Sequence, residues 1–169
     1  AVKLAYLFMD SSRQPKVDPR QRDVQVSVLD DVVQMISVSR RKDAGEQAEQ
    51  IIQSRQELHA SIGKFAPSFH TYVLAIDAWA TSGRKDAGMH AVRLLNEIER
   101  LHEGGVLEEG RPNMRVLSTV LIAVSKSSWI GRTNLVETLF QRILDLCKAG
   151  DRSAKVNTRL QTCALSYIM

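Results

Sequence analysis

The chain has 169 residues, 44% of them hydrophobic and 25% charged, the composition of a folded protein rather than a disordered one, and no apolar run approaches the roughly 20 residues that span a bilayer. Lys and Arg number 23 against 19 Asp and Glu, a balance of +4 that is compatible with nucleic acid but too mild to argue for it alone. No Gly-rich phosphate loop, nucleophile–base pair or metal-ligand cluster is visible, so neither catalysis nor a cofactor is expected.

Cys147 and Cys163 have no CxxC spacing and no neighbouring His pair; they read as free thiols in a reducing compartment rather than a disulfide framework or zinc site. The chain opens AVKLAYLFMD without a Met and ends CALSYIM within an apolar pattern. Both ends read as cut from a longer chain, with any targeting peptide out of view.

In chain order, residues 1–22 read as the end of a preceding helical unit followed by a Pro-containing linker. Residues 24–40, VQVSVLDDVVQMISVSR, place Leu29, Val33 and Ile36 on one face, the spacing of an amphipathic helix. The string RKDAG follows at 41–45 and leads into a second helix carrying Ala48, Ile51, Ile52 and Leu58. Residues 67–83 predict the next helix, with Tyr72, Ile76 and Trp79 on its core face. RKDAG then returns at 84–88, an offset of 43, and opens a helix in which Ala91, Leu94, Leu95 and Leu101 match the earlier apolar set.

A third pair follows at an offset of 45. Residues 112–128 match 67–83, and LVETLFQRILDLC at 135–147 matches the second helix with Val136, Leu139, Phe140 and Leu146. VNTRLQTCALSYIM at 156–169 begins a further copy. The spacings DAGE (43–46) and NLVE (134–137) fit capping boxes, and Asp86 fits a cap without the Glu. Pro67 and Pro112 stand at helix starts, where a missing N–H is harmless.

The unit is therefore a pair of antiparallel helices joined by a short polar turn, with units at 23–66, 67–111 and 112–155. One pair cannot bury its apolar face alone, so neighbours are expected to stack into a one-dimensional solenoid. RKDAG becomes the turn between the helices of a pair, its charges solvated and its Asp a cap. His59 and His102 fall at equivalent helix ends, too far apart to hold a metal. His90 reads as an exposed partner of Asp86 at i, i+4, and Trp79 and Phe140 as core residues. Trp129 lies in the third turn.

The stretch PSFHTYVLAIDAWATSGRKDAGMHAVRLLNEIERL at 67–101 resembles the pentatricopeptide repeat family: Pro, a short polar step, Thr-Tyr, an apolar helix, Ala-x-x-Ser-Gly, then Ala-x-x-Leu-Leu. Residues 112–146 and 24–58 follow the same pattern more loosely, and the units are longer than the family's, the surplus falling after the second helix. The resemblance implies an all-α fold, a right-handed α–α superhelix (solenoid) of antiparallel helix pairs, that binds single-stranded RNA in RNA processing, stability or translation in a mitochondrion or plastid. It implies base reading by the residue after the Tyr position together with the last residue before the next first helix. Carried over, these are Asp30 with Ser68, Val73 with Asn113, Ser118 with Asn157, and Thr162 unpaired; Ser118 with Asn157 resembles the family's adenine-reading pair.

A short polar side chain facing a groove can hydrogen-bond a splayed base edge. Ser68, Asn113 and Asn157 are equally good N-caps, and capping alone accounts for them. Two residues before the Tyr position stand His70, Arg115 and Arg159, where the family usually has an aliphatic residue. Their planar groups could stack on bases, and Arg could also neutralise phosphate; an exposed polar face is the other reading. A protein-binding scaffold, with a peptide or a neighbouring subunit of a large ribonucleoprotein such as an organellar ribosome on the concave face, is the alternative function. No membrane partner is expected.

Overall fold

The computed structural model describes residues 19–63, 66–107, 111–128 and 132–149. Among them the chain forms six helices and no strand: α1 (Pro19–Val38), α2 (Ala44–Ile62), α3 (Phe69–Thr81), α4 (Ala87–Glu103), α5 (Met114–Lys126) and α6 (Arg132–Lys148). The chain is all-α over these residues, as the periodicity predicts. Helix α1 begins earlier than expected, at Pro19, inside the stretch read as a linker. Proline is tolerated in a first helical turn, where its missing N–H has no intrahelical partner to lose.

Each helix packs on the next, and α1 also packs on α3 and α3 on α5. The first helices of successive pairs thus form a row, with α2, α4 and α6 flanking it. The core follows the repeat register. Val33 and Ile36, then Ala48 and Ile51, then Ile76 and Trp79, then Ala91 and Leu95, then Leu121 and Val124, then Leu139 and Ile143 are all buried. Each large aliphatic among them contributes about 1.5–3 kcal/mol by leaving water. Leu101, Phe140 and Leu146 are only partly buried against this core.

The helix starts depart from expectation in an instructive way. Asp43 and Asp86 stand at the N-cap positions of α2 and α4, yet neither side chain makes a capping hydrogen bond. Their carboxylates are taken by the arginine of the same string. Arg41 donates to both oxygens of Asp43 at 3.0 Å, and Arg84 donates to those of Asp86 at 2.9 and 2.7 Å. The two parallel bonds of a guanidinium–carboxylate fork engage both carboxylate oxygens and set their direction away from the helix N–H groups. Asn134 lies inside α6 rather than at its start, so the 134–137 spacing is not a cap either. Among the described residues the caps that form are Ser68, reciprocally with Thr71, and Asn113, which accepts from the Val116 N–H.

The glycine of each RKDAG copy sets how closely neighbouring pairs approach. A Cβ added at Gly45 would fall inside the Trp79 ring contact, 2.2 Å from the nearest ring carbon. One at Gly88 would lie 2.7 Å from the Val124 Cα. Trp79 and Val124 are themselves repeat-equivalent, so each glycine admits the first helix of the following pair at the same point. The Gly88 N–H also donates to Ser127 Oγ at 2.6 Å. The repeated letters are thus a docking point between pairs as well as a turn within one.

Candidate nucleic-acid interface

Asn157, Arg159 and Thr162 lie outside the described residues. The other positions expected to meet RNA fall on α1, α3 and α5, at or near the row of first helices, but their environments differ sharply.

Asp30 and Ser68 are brought together in one buried polar network. Arg55, whose side chain is 0% exposed, donates to Asp30 Oδ1 at 2.6 Å, to Thr71 Oγ1 at 3.0 Å and to the Ala66 carbonyl at 2.9 Å. Thr71 Oγ1 donates to Asp30 Oδ1 at 2.8 Å, and the Ser68 hydroxyl accepts from the Thr71 N–H. Asp30 therefore neutralises a desolvated arginine, and Ser68 caps α3. One pair further on, the equivalent positions are Val73, Ile98 and Val116, all buried, so Val73 is a packing residue there. Asn113 is exposed and caps α5 through Val116 at 3.1 Å. The Ser118 Oγ is shielded from solvent and has no hydrogen-bond partner among the described residues.

His70 and Arg115 are exposed in the first turns of α3 and α5. Arg115 reaches back to Asp77 of α3 at 3.4 Å, with its own side chain 70% exposed. An ion pair this open contributes little to stability and leaves the guanidinium free to exchange partners.

His90 is not simply an exposed partner of Asp86. Its ring lies flat against Trp79, with centroids 3.9 Å apart and planes inclined by 10°. Its nitrogens face Glu49 at 3.4 Å and Asp86 at 3.8 Å. Trp79 donates from Nε1 to Glu49 Oε1 at 2.8 Å, Arg93 pairs with the other oxygen of Glu49, and the Arg84 guanidinium sits 5.4 Å from the Trp79 ring centre. Arg84 also pairs with Glu46 of the preceding unit. The string's charges therefore tie two helix pairs together.

The hydrogen bonds from Arg84 hold the Asp86 carboxyl below its usual range, against a smaller opposing effect of burial. A carboxylate lowered on folding stabilises the fold fully above its unfolded pKa, about 3.9 for Asp. That contribution is lost as pH falls through the folded value. Arg84→Gln removes the principal cause. The loss of stability between pH 6 and pH 3, measured by urea denaturation, should be smaller in this variant than in the unaltered protein.

At the C-terminal ends of the first helices a groove of about 500 Å3 opens between α1, α3 and α5, lined by Gln34, Ser37, Val38, Arg40, Asp77, Ala80, Thr81, Thr119, Ile122 and Lys126. Sequence reasoning did not single out these residues, although cations placed by the helix dipole at helix C-termini, such as Lys126, are a legible signal. Among the described residues no group of three or more His, Cys, Asp or Glu could hold a metal ion, and no helix is long and apolar enough to cross a membrane. Compared with known proteins, the chain matches no family model, no curated protein and no solved structure.

Proposed function

We propose that this chain is an RNA-binding helical-repeat segment of the pentatricopeptide kind, acting in RNA processing, stability or translation in a mitochondrion or plastid. In this reading its helix pairs continue as a right-handed α–α superhelix, and the row of first helices meets single-stranded RNA. The function is binding rather than catalysis. The observation that carries it is the exposed pair His70 and Arg115, at equivalent first-turn positions of the adjacent helices α3 and α5. A cation in a first turn works against the helix dipole, and the open pair with Asp77 holds it only weakly, which leaves Arg115 available to a ligand. Planar imidazole and guanidinium groups at successive positions suit stacking on unpaired bases and contact with the phosphates between them.

Asp30 and Ser68 have no part in this reading, being engaged with Arg55 and with the α3 N-terminus. Val73 is packed and Asn113 caps α5, so in this reading base discrimination falls to Ser118 with Asn157, and RNA docking has to uncover the shielded Ser118 Oγ. By sequence register Arg159 holds the position equivalent to Arg115. The test is filter binding of an unstructured uridine- and adenine-containing oligoribonucleotide across a salt series. His70→Ala with Arg115→Ala should weaken binding several-fold and lower the salt slope by about 1 for the lost arginine–phosphate contact. No binding by the unaltered protein, or an unchanged slope in the variant, overturns the proposal.

A further inference from the structure

The groove at the C-terminal ends of α1, α3 and α5 is chemically unlike the His70–Arg115 stripe at the other end of the same row. Its lining is mostly polar, with three aliphatic side chains, Val38, Ala80 and Ile122, among the polar ones; Val38 is 64% exposed and Ile122 partly exposed, whereas Ala80 is buried. No aromatic side chain lines it, so a nucleobase would find no ring to stack on. Its hydroxyls are occupied by the protein's own backbone: Thr81 Oγ1 lies 3.0 Å from the Ser37 carbonyl and Thr119 Oγ1 lies 3.1 Å from that of Arg115. They offer little for reading a base edge.

Two cations, Arg40 and Lys126, line the groove from α1's end and α5's end. Neither has an ion-pair partner among the described residues. The groove's one carboxylate, Asp77, faces Arg115. The exposed Val38 and partly exposed Ile122, set between two cations that are unpaired among the described residues, complement a protein segment that presents a few aliphatic side chains with carboxylates beside them.

We infer that this groove docks an acidic amphipathic protein segment, so that the first-helix row carries a protein site beside its nucleic-acid stripe. The aliphatic side chains of the segment would lie on Val38 and Ile122. Its carboxylates would reach Arg40 and Lys126 at the rim, where they set orientation and association rate more than affinity. This inference does not depend on RNA binding, since neither His70 nor Arg115 lines the groove, although Arg115 touches its rim through Asp77.

The experiment is fluorescence anisotropy with the whole chain and a labelled synthetic helix of leucine and glutamate in amphipathic order. A matching leucine–lysine helix and an oligouridylate serve as comparison probes. The glutamate helix should bind and the lysine helix should not. Ile122→Glu, at a position already partly exposed, should weaken binding at least tenfold. Arg40→Glu with Lys126→Glu should do the same and turn the preference towards the lysine helix. Circular dichroism of each variant checks that it is folded; Ile122→Thr, a milder change, replaces any that is not. Failure of the glutamate helix to bind, or equal binding by folded variants, overturns the inference. Loss of oligouridylate rather than peptide in the Arg40 and Lys126 variant also overturns it, by making the groove part of the nucleic-acid track. A folded protein that binds the peptide but no RNA would sink the proposed function and leave the docking site standing.

Discussion

Replacing Arg55 by alanine should destabilise the fold by about 3–5 kcal/mol, the cost of breaking a buried ion pair by removing one partner. Arg55 is fully buried and donates to Asp30, Thr71 and the Ala66 carbonyl. Its loss would leave the partly buried Asp30 carboxylate without its cation and open a space the size of a long side chain. The informative control is the triple variant Asp30→Val, Arg55→Ile, Thr71→Val, which installs the residues of the next junction, Val73, Ile98 and Val116. Exchanging a buried ion pair for apolar residues of suitable size is commonly neutral or stabilising by about 1–4 kcal/mol. The triple variant should therefore be at least as stable as the unaltered chain in urea denaturation. If it is as unstable as Arg55→Ala, the polar network itself holds this junction, and the equivalence of the two junctions is wrong.

Trp79→Ala should cost a similar amount, about 3–5 kcal/mol, because Trp79 is fully buried at the joint between the first two helix pairs. The ring fills the space Gly45 leaves open, carries the stacked imidazole of His90, and donates to Glu49. The surrounding backbone cannot collapse onto the gap without moving α2 against α3. Trp79→Phe separates the contributions: it keeps most of the apolar contact and removes the Nε1 donor, so its cost should be clearly smaller. Thermal denaturation of both variants checks the order. Equal losses would mean that the hydrogen bond to Glu49, rather than the ring, dominates.

The repeat and its phase were legible in the sequence because helix periodicity is a local signal. Leu29, Val33 and Ile36, or Leu94, Leu95 and Ile98, lie within a turn or two of one another, and their spacing alone dictates which face is buried. Ser68 and Asn113 as caps were legible for the same reason, since a cap and its N–H are three residues apart. The capping boxes at 43–46 and 134–137 misled. Local spacing cannot say that Arg41 would take the Asp43 carboxylate first, or that α6 would already be under way at Asn134.

What the sequence by itself determined is the helical class, the alternation of first and second helices, and the apolar framework, all of which follow from contacts between residues close in the chain. What only the tertiary structure decided is the use of the polar residues. Asp30 meets Arg55 and Thr71 across separations of 25 and 41 residues, and Trp79 meets Glu49 across 30. No periodicity encodes such partners, because each is selected by which side chains face one another once two helix pairs dock. A position that reads as polar and groove-facing can therefore be consumed in a junction, as Asp30 is. The glycine of a repeated turn can in the same way become the point where one pair admits the next.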